Sequence, residues 1–196
     1  MFTLLKKKKL LKFKKNITLL AFTIFATVKM SSAQFDYHPD AGLSVFFTEY
    51  STAITLTYWA RLNLVEISDE IALSGSAIPS IGGQLNSEEG SYLGVDLPIT
   101  LDLNIGNRAT INSNSAIGFF VGGGFGVNFM GRVNGNTSSI TTSTGPILQG
   151  GIRSTCEWFG NKNHLALKFS YLVGLGEVEE INPSVIGIGL YFGFGH

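Results

Sequence analysis

The chain is poor in cysteine, in proline and, outside its leader, in positive charge. The single cysteine, Cys156, excludes an intramolecular disulfide and a zinc cluster built on cysteines. It reads as a small apolar packing residue. Beyond the leader no segment reaches the roughly 18 uninterrupted apolar residues of a membrane helix. The nearest approach, Ala116 to Met130, spaces Gly118, Gly122 and Gly126 as a double G-x-x-x-G, but it also holds Gly123 and Gly124. Each interior glycine costs a helix about 1 kcal/mol relative to alanine, so a strand is the better reading. Eight of the 14 basic residues (Lys6, Lys7, Lys8, Lys9, Lys12, Lys14, Lys15, Lys29) fall in the first 33 positions, and all 14 acidic residues follow them. Residues 34–196 therefore carry 6 − 14 = −8, a balance that disfavours nucleic acid as a partner.

What the chain does have at its start is a lysine-rich stretch, then the apolar run Ile17 to Val28, then Ser31-Ser32-Ala33. A basic region, a short apolar region and small residues at a cleavage site predict a signal peptide over 1–33, with Gln34 as the new N-terminus. The run is short for a membrane span, and no cysteine near the cleavage site is available for lipid attachment. Residues 34–196 suit a single domain.

Alternation with period two dominates those residues. From Leu93 to Asn104, Leu93, Val95, Leu97, Ile99, Leu101 and Leu103 share one face, opposed by Gly94, Asp96, Pro98, Thr100, Asp102 and Asn104. The same pattern runs from Ile54 to Leu64, from Ile117 to Phe129, from His164 to Leu175 and from Ile186 to Gly195, and alternation at this spacing predicts strands. Weaker strands at Leu43 to Thr48, Ile71 to Ala77 and Ile147 to Trp158 bring the count to eight, the even number a bacterial barrel requires. Periplasmic turns are expected at Ile67 to Asp69, Ile105 to Ser115 and Phe159 to Asn163, the middle one long. Outer loops are expected at Ile78 to Gly90, Gly131 to Gly145 and Glu177 to Pro183, with a very short connection near Tyr50 and Ser51. Pro98 cannot donate to a ladder, so a local bulge is expected there.

A soluble barrel and a membrane barrel both alternate, and the second face separates them. In this chain that face is mostly Gly, Ser, Thr and Asn, which suits a cramped interior better than a wetted exterior rich in Lys and Glu. The expected architecture is all-β, an up-and-down antiparallel transmembrane β-barrel of about eight strands, apolar stripe outward. Tyr58, Trp158, Tyr171, Phe192 and Phe194 on the apolar stripe suit membrane boundaries. The inward stripe carries Arg61, Asp96, Asp102, Arg153, Glu157 and Lys168, three of each sign, which predicts a neutral structural network in the lumen. A hairpin through Asn161 and Lys162 would put Lys168 diagonal to both Glu157 and Arg153. The acidic runs Glu88-Glu89 and Glu177, Glu179, Glu180 fall in outer loops, as solvated surface or as weak candidates for divalent cations. His38, His164 and His196 do not converge with a serine and an acid, so no catalytic set and no cofactor is expected.

The leader, the even strand count and the terminal Gly189-Leu190-Tyr191-Phe192-Gly193-Phe194 together resemble small outer-membrane β-barrels of the porin-like superfamily. The likeness extends to the Bacteroidetes type through Tyr92-Leu93-Gly94-Val95-Asp96-Leu97-Pro98, and in architecture to the OmpA and OmpX kind. It covers roughly Ala41 to His196. It departs from the usual final strand in ending two residues after the last aromatic and in having Gly187 where a polar residue is usual. The resemblance implies a Gram-negative outer membrane, with outer-membrane lipid and the barrel-assembly machinery as partners and a monomeric state. The function expected is structural, a surface interaction or a narrow pore. An outer-membrane enzyme acting on lipid A and a soluble calycin-like ligand-binding barrel are the alternatives.

Overall fold

The computed structural model describes residues 36–48, 52–86, 90–134, 137–158, 161–175 and 184–193. The expected signal peptide lies outside the described residues, as do the acidic residues Glu88, Glu89, Glu177, Glu179 and Glu180 and the last aromatic, Phe194. Ten strands are present: β1 (Tyr37–Phe47), β2 (Thr52–Ser68), β3 (Ile71–Ala77), β4 (Ser80–Asn86), β5 (Gly90–Asp96), β6 (Ile99–Gly106), β7 (Ile117–Asn134), β8 (Thr137–Trp158), β9 (Asn161–Leu172) and β10 (Val185–Gly193). All pair antiparallel with their neighbours, and β1 pairs with β10 as well as β2, so the sheet closes on itself.

The ten strands make eight staves. β3 and β4 lie along β2 in one register, Ala60 opposite Ala77 and Thr57 opposite Ser80. β5 and β6 lie likewise along β7, with Asp96 opposite Asn128 and Ile99 opposite Phe125. Each pair of strands is one stave interrupted at a proline, Pro79 in the first and Pro98 in the second. The expected bulge at Pro98 is therefore not what forms. A proline only removes a donor, and the neighbours hold the chain in phase: Ile78 N–H donates to the Pro98 carbonyl at 3.1 Å and Leu97 N–H to the Val127 carbonyl at 2.9 Å. Register shifts occur between β2 and β3 instead, at Asn63/Val65 and at Glu66/Ser68.

The apolar stripe faces outward. Leu97, Leu101 and Phe169 are 46%, 55% and 52% exposed, whereas Asp96 and Lys168 are 6% and 3% exposed. Of the expected boundary aromatics, Tyr58 and Tyr171 are exposed on the wall and Phe192 is half-buried. Inside, Trp59, Ile78, Phe120, Ala166 and Tyr191 form a central apolar cluster. Glycines beside its large rings make room for them. Phe120 lies opposite Gly151, and a Cβ at Gly189 would sit 2.5 Å from the Tyr191 ring.

The strands also run further than the composition suggests. β1 begins at Tyr37, so His38 lies within it. Most of the segments expected as outer loops over 78–90 and 131–145 are strand, and β7 and β8 stay paired from Ile117/Ser154 to Asn134/Thr137. Gly, Ser and Asn there read as loop because their β propensity is low, but a partner strand satisfies the backbone whatever the side chain.

Candidate functional site

The lumen is filled by a layered polar network, closed at the end where β1 starts and β10 stops, called basal here. In the basal layer the Asp36 carboxylate accepts from His38 Nε2 at 2.7 Å and from Asn63 Nδ2 at 2.8 Å. Ser74 Oγ donates to Asn63 Oδ1 at 2.6 Å, and Asn104 Nδ2 donates to Ser74 Oγ at 2.8 Å. Asn104 Oδ1 then accepts from two guanidinium groups, Arg61 Nη1 at 2.9 Å and Arg153 Nη1 at 2.7 Å. One layer up, Asp102 accepts from Ser76 Oγ (2.5 Å), Thr100 Oγ1 (3.2 Å) and Gln149 Nε2 (2.8 Å).

Strand alternation explains why these side chains meet, since positions 61 and 63, 74 and 76, 100, 102 and 104 all point inward on neighbouring staves. The aromatic cluster caps this polar half. The Arg153 guanidinium lies 4.8 Å from the Trp59 ring centre and 4.4 Å from that of Phe120, and the Lys168 ammonium lies 5.8 Å and 5.4 Å from Trp59 and Tyr191. An aromatic face partly replaces the water that a buried cation gives up. Tyr191 is fixed by a 2.7 Å hydrogen bond between its hydroxyl and that of Ser44.

Of the six charges expected in the lumen, Arg61, Asp96, Asp102, Arg153 and Lys168 are buried. Glu157 is not one of them, because it is exposed near the basal end of β8. The hairpin is tighter than expected, with Glu157 opposite Lys162 and Arg153 opposite Ala166. That register is four residues away from the expected one, which set Glu157 opposite Ala166. Lys168 faces Gly151 and, of the two residues expected, is diagonal only to Arg153. The sequence reading missed Asp36, His38, Asp40 and Arg108, all buried. The first three were findable, because the alternation from Ser44 continues backward through residues 42, 40, 38 and 36. Arg108 gave no signal, since it sits in a turn. Among the described residues four buried acids (Asp36, Asp40, Asp96, Asp102) are matched in number by four buried bases (Arg61, Arg108, Arg153, Lys168).

The turn from 107 to 116, expected simply as a long connection, folds up into the basal mouth. Asn107, Arg108, Ala109 and Thr110 are all buried. Gly106 and Arg108 adopt left-handed φ values of 76° and 53°, and only glycine does so at no steric cost. What holds Arg108 there is the ion pair its Nη1 makes with Asp40 Oδ1, in space that Gly193 leaves open by lacking a side chain. Asn63 Nδ2 donates to the Ala109 carbonyl at 2.8 Å, and Asn107 Nδ2 donates to Thr155 Oγ1 at 2.6 Å. Outside the mouth the Glu70 carboxylate accepts from Ser113 Oγ at 2.8 Å and from Asn114 N–H at 3.0 Å. Those bonds favour its charged form and hold its pKa below the usual carboxylate value.

The basal half of the lumen is thus packed with buried side chains. A cavity of about 10 Å³ between Phe46, Thr55, Asp96 and Asn128 has room for one water molecule. No protein-family model matches the sequence, and no curated protein does. Among solved structures the chain is similar to Ail, the attachment invasion locus protein of Yersinia pestis, at 12% identity and a TM-score of 0.54, covering 82% of this chain and 98% of that one. Neisserial surface protein A (NspA) is similar at 12% identity and a TM-score of 0.55, covering 84% and 98%. The outer membrane enzyme PagL is similar at 12% identity and a TM-score of 0.50, covering 80% and 99%. At that identity the likeness is one of fold, the small eight-stranded transmembrane barrel.

Proposed function

We propose that the protein is a non-enzymatic outer-membrane barrel that conducts nothing through its lumen and works through the surface it displays beyond the membrane. The observation that carries this reading is the filled, charge-balanced lumen with its basal turn latched to Asp40. The neighbours' fold supports the location, and the proline-interrupted Tyr92–Pro98 stretch and the terminal strand support the Bacteroidetes-type resemblance. With the basal end toward the periplasm, the distal end faces outward. There the barrel is lopsided. β1 ends at Phe47 and β10 begins at Val185, while β4, β5, β7 and β8 continue together as far as the pairs Asn86/Gly90, Ser91/Val133 and Asn134/Thr137. On β8 the outward residues change from Ile152 and Leu148 to Pro146, Thr144 and Thr142, which sets the membrane edge near Pro146. Beyond it, Thr137 to Gly145 adds about 30 Å of strand at ~3.4 Å per residue. A four-stranded sheet standing clear of the lipid on one side is a platform for an external partner.

Planar-bilayer recording on purified protein tests the closed lumen. A flat current trace is the result expected, and discrete steps of a narrow pore would refute it. Shortening the β7–β8 hairpin by deleting 130–141 is expected to leave folding intact and abolish adhesion of whole cells to surfaces or host matrices. Lipid A mass spectra that change with expression of the protein would instead establish an enzyme.

A further inference from the structure

We propose that the outer wall carries a seat for one acyl chain of a membrane lipid, in a groove across β10, β1, β2 and β4. Around most of the barrel the lipid-facing residues are large, as with Leu93, Leu97, Ile99 and Leu101 on β5–β6. Along one row over β1 to β4 they shrink, although Leu43, Leu56 and Ile81 beside it are large. Pro39 lies opposite Ala60 and Ala60 opposite Ala77, and one row further Ala41 lies opposite Tyr58. Pro79 follows, its carbonyl bonded to Tyr58 N–H at 2.9 Å. The wall recedes there into a groove of about 690 Å³, floored by Ala41, Gly42 and Pro79 and edged by Leu43, Tyr58 and Leu190.

Three observations select the occupant. The groove opens sideways into the band where large apolar side chains are exposed, so the surrounding medium is hydrocarbon. Its lining is apolar apart from Thr57 and Ser80, whose side chains are buried, and the Tyr58 hydroxyl at its edge is satisfied by that of Tyr37 at 2.5 Å, leaving no handle for a headgroup. Twelve residues line it, whereas a stable protein interface takes about 20–30 residues a side. A second copy of the chain is thus a poorer fit than a small molecule, whose sites run to about 300–1,000 Å³. A chain lying in the groove touches protein along two sides instead of one and gains dispersion contacts along its length.

Native mass spectrometry of protein extracted from membranes in mild detergent tests the seat. One retained phospholipid adduct is expected in the wild type, lost in Ala41→Phe, which fills the floor, and kept in Leu101→Phe on another part of the wall. Absence of an adduct in the wild type, an equal adduct in Ala41→Phe, or a dimer that Ala41→Phe abolishes would each overturn the proposal. A second measurement needs no variant. Wild-type protein in phosphatidylcholine vesicles with a photoactivatable acyl chain is expected to crosslink preferentially on peptides holding 39–43, 56–60 and 79–81. Even labelling of these and of 99–105 would overturn it.

Discussion

Asp40 and Arg108 lie 68 positions apart and meet only because the barrel closes. Both are buried, so removing either charge leaves the other without its partner in a low-dielectric interior, a loss of about 3–5 kcal/mol. Asp40→Asn is expected to lower stability by that amount, read from urea titration of the gel-mobility difference between folded and unfolded barrel. It leaves Arg108 as a third unpaired guanidinium near Arg61 and Arg153. Glycines give a second test at this scale. At Gly189 a methyl group would press on the Tyr191 ring and the Ser44 hydroxyl, whereas at Gly131 the nearest atom would be the Leu93 carbonyl oxygen at 3.7 Å. Gly189→Ala is expected to cost about 1–3 kcal/mol by overpacking, and Gly131→Ala to stay within about 0.5 kcal/mol of wild type. The same urea titration measures both.

Among the elements, the basal turn has a hold that depends on pH. Glu70 grips it through Ser113 and Asn114, and those bonds depress its folded-state pKa. A depressed carboxylate stabilises above its unfolded value, about 4.3, and that contribution disappears as pH falls through the folded value. Hydrogen exchange over 107–116 is therefore expected to be slow at neutral pH and to quicken, after correction for intrinsic rates, as pH falls below the usual carboxylate value. Glu70→Gln is expected to lose that pH dependence while β7 and β8 exchange as before. Strand identity was legible in residues such as Leu93 to Asn104, because alternation against lipid and lumen is a local property. The ends of strands were not. Thr137–Gly145 lies beyond the band that enforces alternation, and pairing with β7 holds it as strand.

For the molecule as a whole, the membrane band predicts where a charge is tolerated. Arginine facing lipid near the midplane costs about 2–4 kcal/mol, falling to about 0–1 at the boundary. Leu101→Arg is expected to pay the larger cost and Thr142→Arg almost nothing, measured by equilibrium unfolding in lipid vesicles. The sequence by itself determined the closed eight-stave wall, its orientation toward lipid and five of the buried charges, because a period of two writes each side chain's face into its position. Tertiary structure alone decided the partners. The buried place of Arg108 depends on ring closure, and the four-residue difference in the β8–β9 register, the exposure of Glu157 and the unbroken phase at Pro98 depend on pairing with neighbouring strands. Ring closure joins residues far apart in the chain, and a pattern that repeats every two positions is blind to which turn of that pattern meets which.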